Sequence, residues 1–311
     1  MQHVRIRPRP SKLVNFLGML LTLAVVAPHT PAFADDIASP TLQKIAESGT
    51  ITIGHREDET PFSYVTADGV VRGYSVEICS YIADYIRQSL KLEKLETKYV
   101  VATAATRFLL VKTGKIDLEC SATTNTAERR EQVAFTYPHF ITATRYVAKK
   151  SSNLSSIKDL AGRTVASTTG TINIEQLQNI NRAEKLNISV LLAKLNSEGF
   201  AMVENNRASA FVMDGVLLAA QVAFSNSPSD YSISSEVFGP PEPYGIMLLK
   251  GDDGFKTLVN EALKKLFTSG DINRIYQKWF MSPVPPDGRN FNLPLSPELE
   301  AAFQQPKEYL Q

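Results

Sequence analysis

Two successive cycles of strand and helix constrain the fold of this chain more than any other feature of its sequence. In the first, Thr50-Ile51-Thr52-Ile53-Gly54 is a β-branched run of the kind that fills a buried strand. Thr41 to Ile45 predicts a short helix before it, ended by Gly49. Pro61-Phe62-Ser63-Tyr64 continues extended, and Asp68-Gly69 is a hairpin-type turn. Cys79, Ile82, Ala83, Ile86 and Leu90 then recur at helical spacing. Lys98 to Val101 predicts the next strand, Phe108 to Lys112 a short helix stopped at Gly114, and Ile116 to Cys120 another strand. This β-α-β-α-β order predicts a mostly parallel sheet with helices on both faces. Ligands of such sheets bind beyond the carboxyl ends of the strands. That rule selects Arg56, the stretch Ala122 to Thr124, and the residues that begin the intervening helices.

A similar cycle restarts near residue 157. Ser156 to Gly162 reads as a short helix and turn, Arg163 to Ser167 as a strand, and Gly170-Thr171 opens an amphipathic helix through about Ile180. Ser189 to Leu192 is another strand, and Ala210-Phe211-Val212-Met213-Asp214 is a strong one that ends in a carboxylate. Extended segments at Thr142 to Lys150 and Phe238 to Lys250 lie between the cycles. Phe255 to Phe267 and Ile272 to Trp279 are helical patterns broken at Gly270. If this last part packs back onto the first, the chain crosses twice between two lobes, and the crossings form a hinge. The expected division is residues 41–144 with 240–311 in the first lobe and 145–239 in the second.

The first residues set the compartment. Arg5, Arg7, Arg9 and Lys12 precede an uncharged apolar run from Leu13 to Val26, and Ala32-Phe33-Ala34 is an A-x-A-like cleavage site. The order is that of a secretory signal over residues 1–34. The apolar run is too short for a membrane anchor, which needs about 20 residues. Cleavage moves the formal net charge from +1 to −3. A mildly acidic chain has no electrostatic case for nucleic acid, and the mature protein is expected to be soluble and periplasmic. Cys79 and Cys120 are the only cysteines. Export would permit a disulfide; two separate buried thiols are the simpler account. No cluster of ligating residues suggests a metal, and no cofactor is expected.

The ordered motifs carry a resemblance. They are Gly54-His55-Arg56-Glu57 with Pro61-Phe62-Ser63-Tyr64; Asp117-Leu118-Glu119-Cys120 with Thr123-Thr124-Asn125; Glu128-Arg129 with Ala134-Phe135; Thr169-Gly170-Thr171; Phe211 to Asp214; Tyr244-Gly245; and Lys278-Trp279-Phe280 with Pro283-Val284-Pro285-Pro286. Over residues 41–305 the chain resembles the periplasmic polar amino-acid-binding proteins of ABC transporters, and within them the glutamate/aspartate-binding branch. The resemblance implies a two-lobed α/β fold, each lobe a mostly parallel sheet flanked by helices, joined by two crossover strands. It implies a binding protein and not an enzyme, working as a monomer that passes a small amino acid to a membrane permease.

It also implies a site. An amino acid carries an α-carboxylate and an α-ammonium, and both need partners once water is excluded. Arg129 matches the family's α-carboxylate arginine, a role its planar fork suits. Thr124 matches a position that meets the ligand, and Thr171 the helix start that closes over the same carboxylate. Asp214 matches the acceptor of the α-ammonium. Arg56 and Arg107 match the pair that holds a distal carboxylate; the alternative is that each has a protein carboxylate partner, such as Glu57 or Glu119. Phe62 and Thr103 are possible lining residues. Three family positions differ: serines become Ala104 and Ala122, and a histidine becomes Asn196. Because unpaired polar groups are what reject a wrong ligand, these changes open the site to glutamine, asparagine or a longer dicarboxylate. Two rivals share the fold: a cyclohexadienyl dehydratase-like enzyme, for which His55 and Glu57 are the nearest proton-transfer candidates, and a receptor sensor domain, which would need segments that do not follow before Gln311.

Overall fold

The computed structural model describes residues 1–3, 39–285 and 288–310. The chain divides into Met1–Ile37 and Ala38–Gln311, and the second unit carries both main sheets. The signal sequence expected over residues 1–34 lies, beyond its first three residues, outside the described ones. Among the described residues no helix is long and apolar enough to cross a membrane.

The first sheet orders its strands Glu96–Val101, Thr50–His55, Leu118–Glu119, Met247–Leu248, Ala134–Phe135. Its first three strands run parallel, and Met247–Leu248 is antiparallel to both neighbours. The second sheet repeats the plan with Ser189–Ala193, Thr164–Thr168, Ala210–Asp214, Thr144–Lys149 and Tyr231–Ile233. Again three strands are parallel, and the returning strand Thr144–Lys149 is antiparallel to both sides. The sheets are thus mixed where the strand-helix alternation alone predicts parallel pairing. The antiparallel strands are those that follow the crossings, where the chain returns. Every residue of Ala210–Asp214 is buried, as a strand covered on both faces requires.

The two crossings pair with each other. Phe140–Thr142 and Glu242–Tyr244 run antiparallel, with Thr142 opposite Glu242 and Phe140 opposite Tyr244. Behind them, Phe62, Tyr74, Phe140, Tyr244 and Phe280 make an aromatic cluster in the first lobe. Phe280 comes from the helix Asp271–Phe280, which packs on the helix Tyr74–Ser89.

The helix Tyr74–Ser89 buries Ile78, Ile82 and Ile86 at four-residue spacing, and Cys79 and Ala83 beside them. Cys79 is bonded to Cys120, which corrects the simpler account of two separate thiols. The same periodicity that buries Cys79 turns it toward the first sheet, where Cys120 follows the strand Leu118–Glu119.

Candidate functional site

The carboxyl ends of both sheets face one cleft. Its lining includes Glu59, Arg107, Ala122, Thr124 and Arg129 from the first lobe, and Thr171, Asn173, Met213 and Asp214 from the second. Six of the ten residues singled out in the sequence therefore meet here: Arg107, Ala122, Thr124, Arg129, Thr171 and Asp214.

One end of the cleft is built on opposite charges. Arg129 sits in the short helix Ala127–Arg130, whose start Thr126 caps. The loop carbonyl of Thr124 accepts from its Nη1 at 2.9 Å, which fixes the guanidinium toward the cleft. Burial lowers its pKa, and the nearby Glu175, Asp214 and Glu242 carboxylates counter that. Asp214 ends its strand with Oδ1 accepting from Asn173 Nδ2 at 2.7 Å and Oδ2 from the Tyr244 hydroxyl. Burial, reinforced by the neighbouring Glu242, holds its carboxyl well above the ordinary range. A cation placed against it would reverse that shift.

Glu242 ties the crossings to both lobes. Its carboxylate accepts from Thr124 Oγ1 at 3.0 Å, from the Thr144 amide at 3.1 Å and from Gln176 Nε2 at 3.1 Å. Thr171 precedes the helix Ile172–Ala183. Its hydroxyl donates to the Thr168 carbonyl at 2.7 Å and does not cap that helix. The first-turn amides, with the positive end of the helix dipole, remain directed at the cleft.

The distal end differs from the expected pair of arginines. Arg56 is almost fully buried, with Nη1 2.8 Å from Glu59 Oε1. Neither Glu57 nor Glu119 is its partner; Glu57 is exposed, and Glu119 accepts from Thr123 at 2.9 Å and from Ser121. Glu59 Oε2 accepts from the Ala122 amide at 3.1 Å. It is Glu59, not Arg56, that lines the cleft. Burial raises the Glu59 carboxyl to about 7 against the pull of Arg56. Arg107 donates from Nη2 to the Gly170 carbonyl at 3.2 Å, and its buried Nε has no hydrogen-bond partner among the described residues. Burial, with Arg129 and Arg56 nearby, lowers its pKa to about 9.

The remaining four residues stand outside the lining. Arg56 lies behind Glu59. Phe62 is fully buried in the aromatic cluster. Thr103 exchanges hydrogen bonds with Thr106 ahead of the helix Arg107–Lys112. Asn196 accepts from Thr168 Oγ1 at 2.8 Å, and its buried Nδ2 is unpartnered. Beside it, Asp58 of the first lobe accepts from the Ser197 amide at 3.1 Å, so a carboxylate from across the cleft satisfies the start of the helix Asn196–Glu204. Glu59, Asn173 and Glu242 were not anticipated. Glu59 shares the loop after the first strand with Arg56, three residues on, and that spacing was the available signal.

The bacterial extracellular solute-binding proteins, family 3, match residues 51–282. The L-glutamate/L-aspartate-binding protein of Pseudomonas aeruginosa is 39% identical over 93% of this chain and 96% of its own length. The glutamate/aspartate import solute-binding protein of Escherichia coli is 34% identical over 96% of this chain and 97% of its own. Among solved structures, a mutant of ArgBP from T. maritima superimposes with a TM-score of 0.69 at 29% identity, over 77% of this chain and 98% of that one.

Proposed function

The chain belongs to the bacterial extracellular solute-binding proteins of family 3, and from that membership we propose that it binds glutamate or aspartate between its lobes for an ABC import system. The observation that carries the reading is one cleft presenting a buried guanidinium and a buried carboxyl to the two ends of an α-amino acid, with a further guanidinium beyond them.

Arg129 takes the α-carboxylate, joined by the helix start after Thr171 and by Thr124. Asp214 takes the α-ammonium. Ala122 offers backbone alone, since its methyl group cannot hydrogen-bond. Arg107 takes the distal carboxylate, which supplies the partner its Nε lacks. Arg56 acts on the ligand through Glu59, and Asn196 approaches from the second lobe beside Thr168. Phe62 and Thr103 support the first-lobe wall. The proposed lobes are residues 41–144 with 240–311, and 145–239, after a signal over 1–34 that directs the chain to the periplasm. The proposed working unit is a monomer.

Ligand docks first on the lobe that supplies Arg107 and Arg129, and Thr171 and Asp214 then join it. The closed form gains these contacts, which is the differential affinity that shifts an open-closed equilibrium. The permease recognises the closed outline. Turnover finds less support: Glu57 is exposed, and the His55 ring packs edge-on against Tyr99, both outside the lining.

A thermal-shift panel of the common amino acids tests the reading. A ligand that binds only the folded chain adds about 2.7 kcal/mol at a hundredfold excess over its dissociation constant. Glutamate or aspartate is expected to give the largest shift. A panel in which no α-amino acid moves the midpoint would refute it.

A further inference from the structure

We propose that Glu59 is a specificity-determining residue: it takes up Arg56 and leaves a distal subsite of one guanidinium and one carboxyl, which accepts a carboxamide as well as a carboxyl group. The inference rests on the proposed amino-acid site and sharpens its substrate class.

The geometry comes first. A distal group entering the cleft meets Arg107, which can only donate, and Glu59 on the other side. One Glu59 oxygen is ion-paired with Arg56 and the other accepts from the Ala122 amide. Each keeps a second lone pair. An ionised Glu59 can therefore only accept from the ligand. A carboxamide satisfies both sides at once: its oxygen accepts from Arg107 and its NH2 donates to Glu59. A distal carboxylate satisfies Arg107 but sets two anions against each other, unless one proton lies between them. An acidic ligand thus binds with Glu59 protonated, and an amide ligand with Glu59 ionised.

The surrounding charges do not remove this choice. Arg56 at the end of the first strand and Arg107 on its helix favour the anion, while Glu119 on the adjoining strand opposes it. From the second lobe, the helix Asn196–Glu204 packs on the Asp58–Glu59 strand. Its Ser197 amide is bonded to Asp58, and Glu198 accepts from the Lys194 amide at 2.9 Å. Burial brings the Glu59 carboxyl to about 7, so both protonation states are accessible near neutrality.

Both ligands share the α-amino end, so any proton released at Asp214 cancels in the ratio of their dissociation constants. Calorimetric titration of L-glutamate and L-glutamine into the native protein and into Glu59→Gln is the test. In the native protein the glutamate-to-glutamine ratio is expected to rise about tenfold per pH unit, roughly a hundredfold from pH 6 to pH 8, as a one-proton difference between the two complexes requires. In Glu59→Gln the ratio stays flat, and glutamate binds at least tenfold tighter at pH 8 than in the native protein. A ratio that does not change with pH in the native protein, or no measurable glutamine binding, overturns the role of Glu59 while leaving the acidic-ligand reading intact. Absence of binding by either amino acid overturns both. Should Glu59→Gln fail to fold, the native ratio decides alone.

Discussion

The Arg107 guanidinium on the first lobe donates to the Gly170 carbonyl on the second at 3.2 Å, tying the lobes together at the distal end of the cleft. The approach is close enough to exclude a side chain. A Cβ on Gly170 would lie 2.8 Å from the Ala104 carbonyl oxygen, and Gly170 has a φ of +79°. Gly170→Ala is therefore expected to leave each lobe folded but to oppose closure. Its ligand dissociation constant should rise about tenfold or more, an effect of roughly 1.4 kcal/mol. Unchanged affinity would mean that closure does not bring these backbones together.

Arg129 and Arg107 should separate by ligand. Removing one member of a buried charge pair costs about 2–5 kcal/mol. Arg129→Ala is expected to impose that loss on every α-amino acid, because all carry the α-carboxylate. Arg107→Ala should impose it on glutamate and aspartate far more than on alanine or serine. Calorimetry on both variants checks this, and equal losses for acidic and small neutral ligands would contradict the assignment of the distal pocket.

Stability of the ligand-free protein should decline as pH rises from about 4.5 through neutrality. His139 is fully buried, and burial lowers its pKa to about 3. The unfolded chain binds that proton more readily, so stability falls as pH drops below the ordinary histidine range. Glu59 and Asp214 act oppositely, since burial raises both. The folded chain holds their protons to higher pH than the unfolded chain, so their contribution is full below the ordinary carboxylate range and is lost as pH rises through 7, and two such carboxyls outweigh one histidine. Midpoints measured from pH 4.5 to 8.5 should fall, and Asp214→Asn should flatten that decline. A midpoint that climbs steadily to pH 8.5 would show that these carboxyls are not held protonated.

The Cys79–Cys120 bond closes a separation of 41 residues. A cross-link of that span contributes about 4 kcal/mol in the chain-entropy view. Reduction, or the double change Cys79→Ser with Cys120→Ser, is expected to lower the melting midpoint by roughly 10 °C. Ligand affinity should change little, because neither sulfur lines the cleft. No loss of stability on reduction would place the bond outside the fold's energetics.

Much of this architecture was legible in the residues. The β-branched run at Thr50–His55, the isoleucines of Tyr74–Ser89 and the fully apolar run before Asp214 each declare an element through its periodicity. The mixed pairing was not, because strand direction depends on where the chain returns and not on local pattern. Arg107, Arg129, Thr171 and Asp214 could be named because the family resemblance implied them; the strand-end rule by itself pointed to Arg56, Ala122 to Thr124 and the helix starts. Glu59 could not. Its significance comes from a lone contact with Arg56 and a backbone amide of a distant loop, and two-residue strands such as Asp58–Glu59 leave no periodic trace. Likewise, nothing in the sequence around Glu242 signals that one carboxylate would bond Thr124, Thr144 and Gln176 together.

The crystal structure of the mature chain grown with L-glutamate is the most direct trial. The α-carboxylate should lie within hydrogen-bond distance of Arg129, the ammonium on Asp214, and the distal carboxylate between Arg107 and Glu59. Glutamate found elsewhere, or in the cleft with its ammonium turned away from Asp214, would contradict the site.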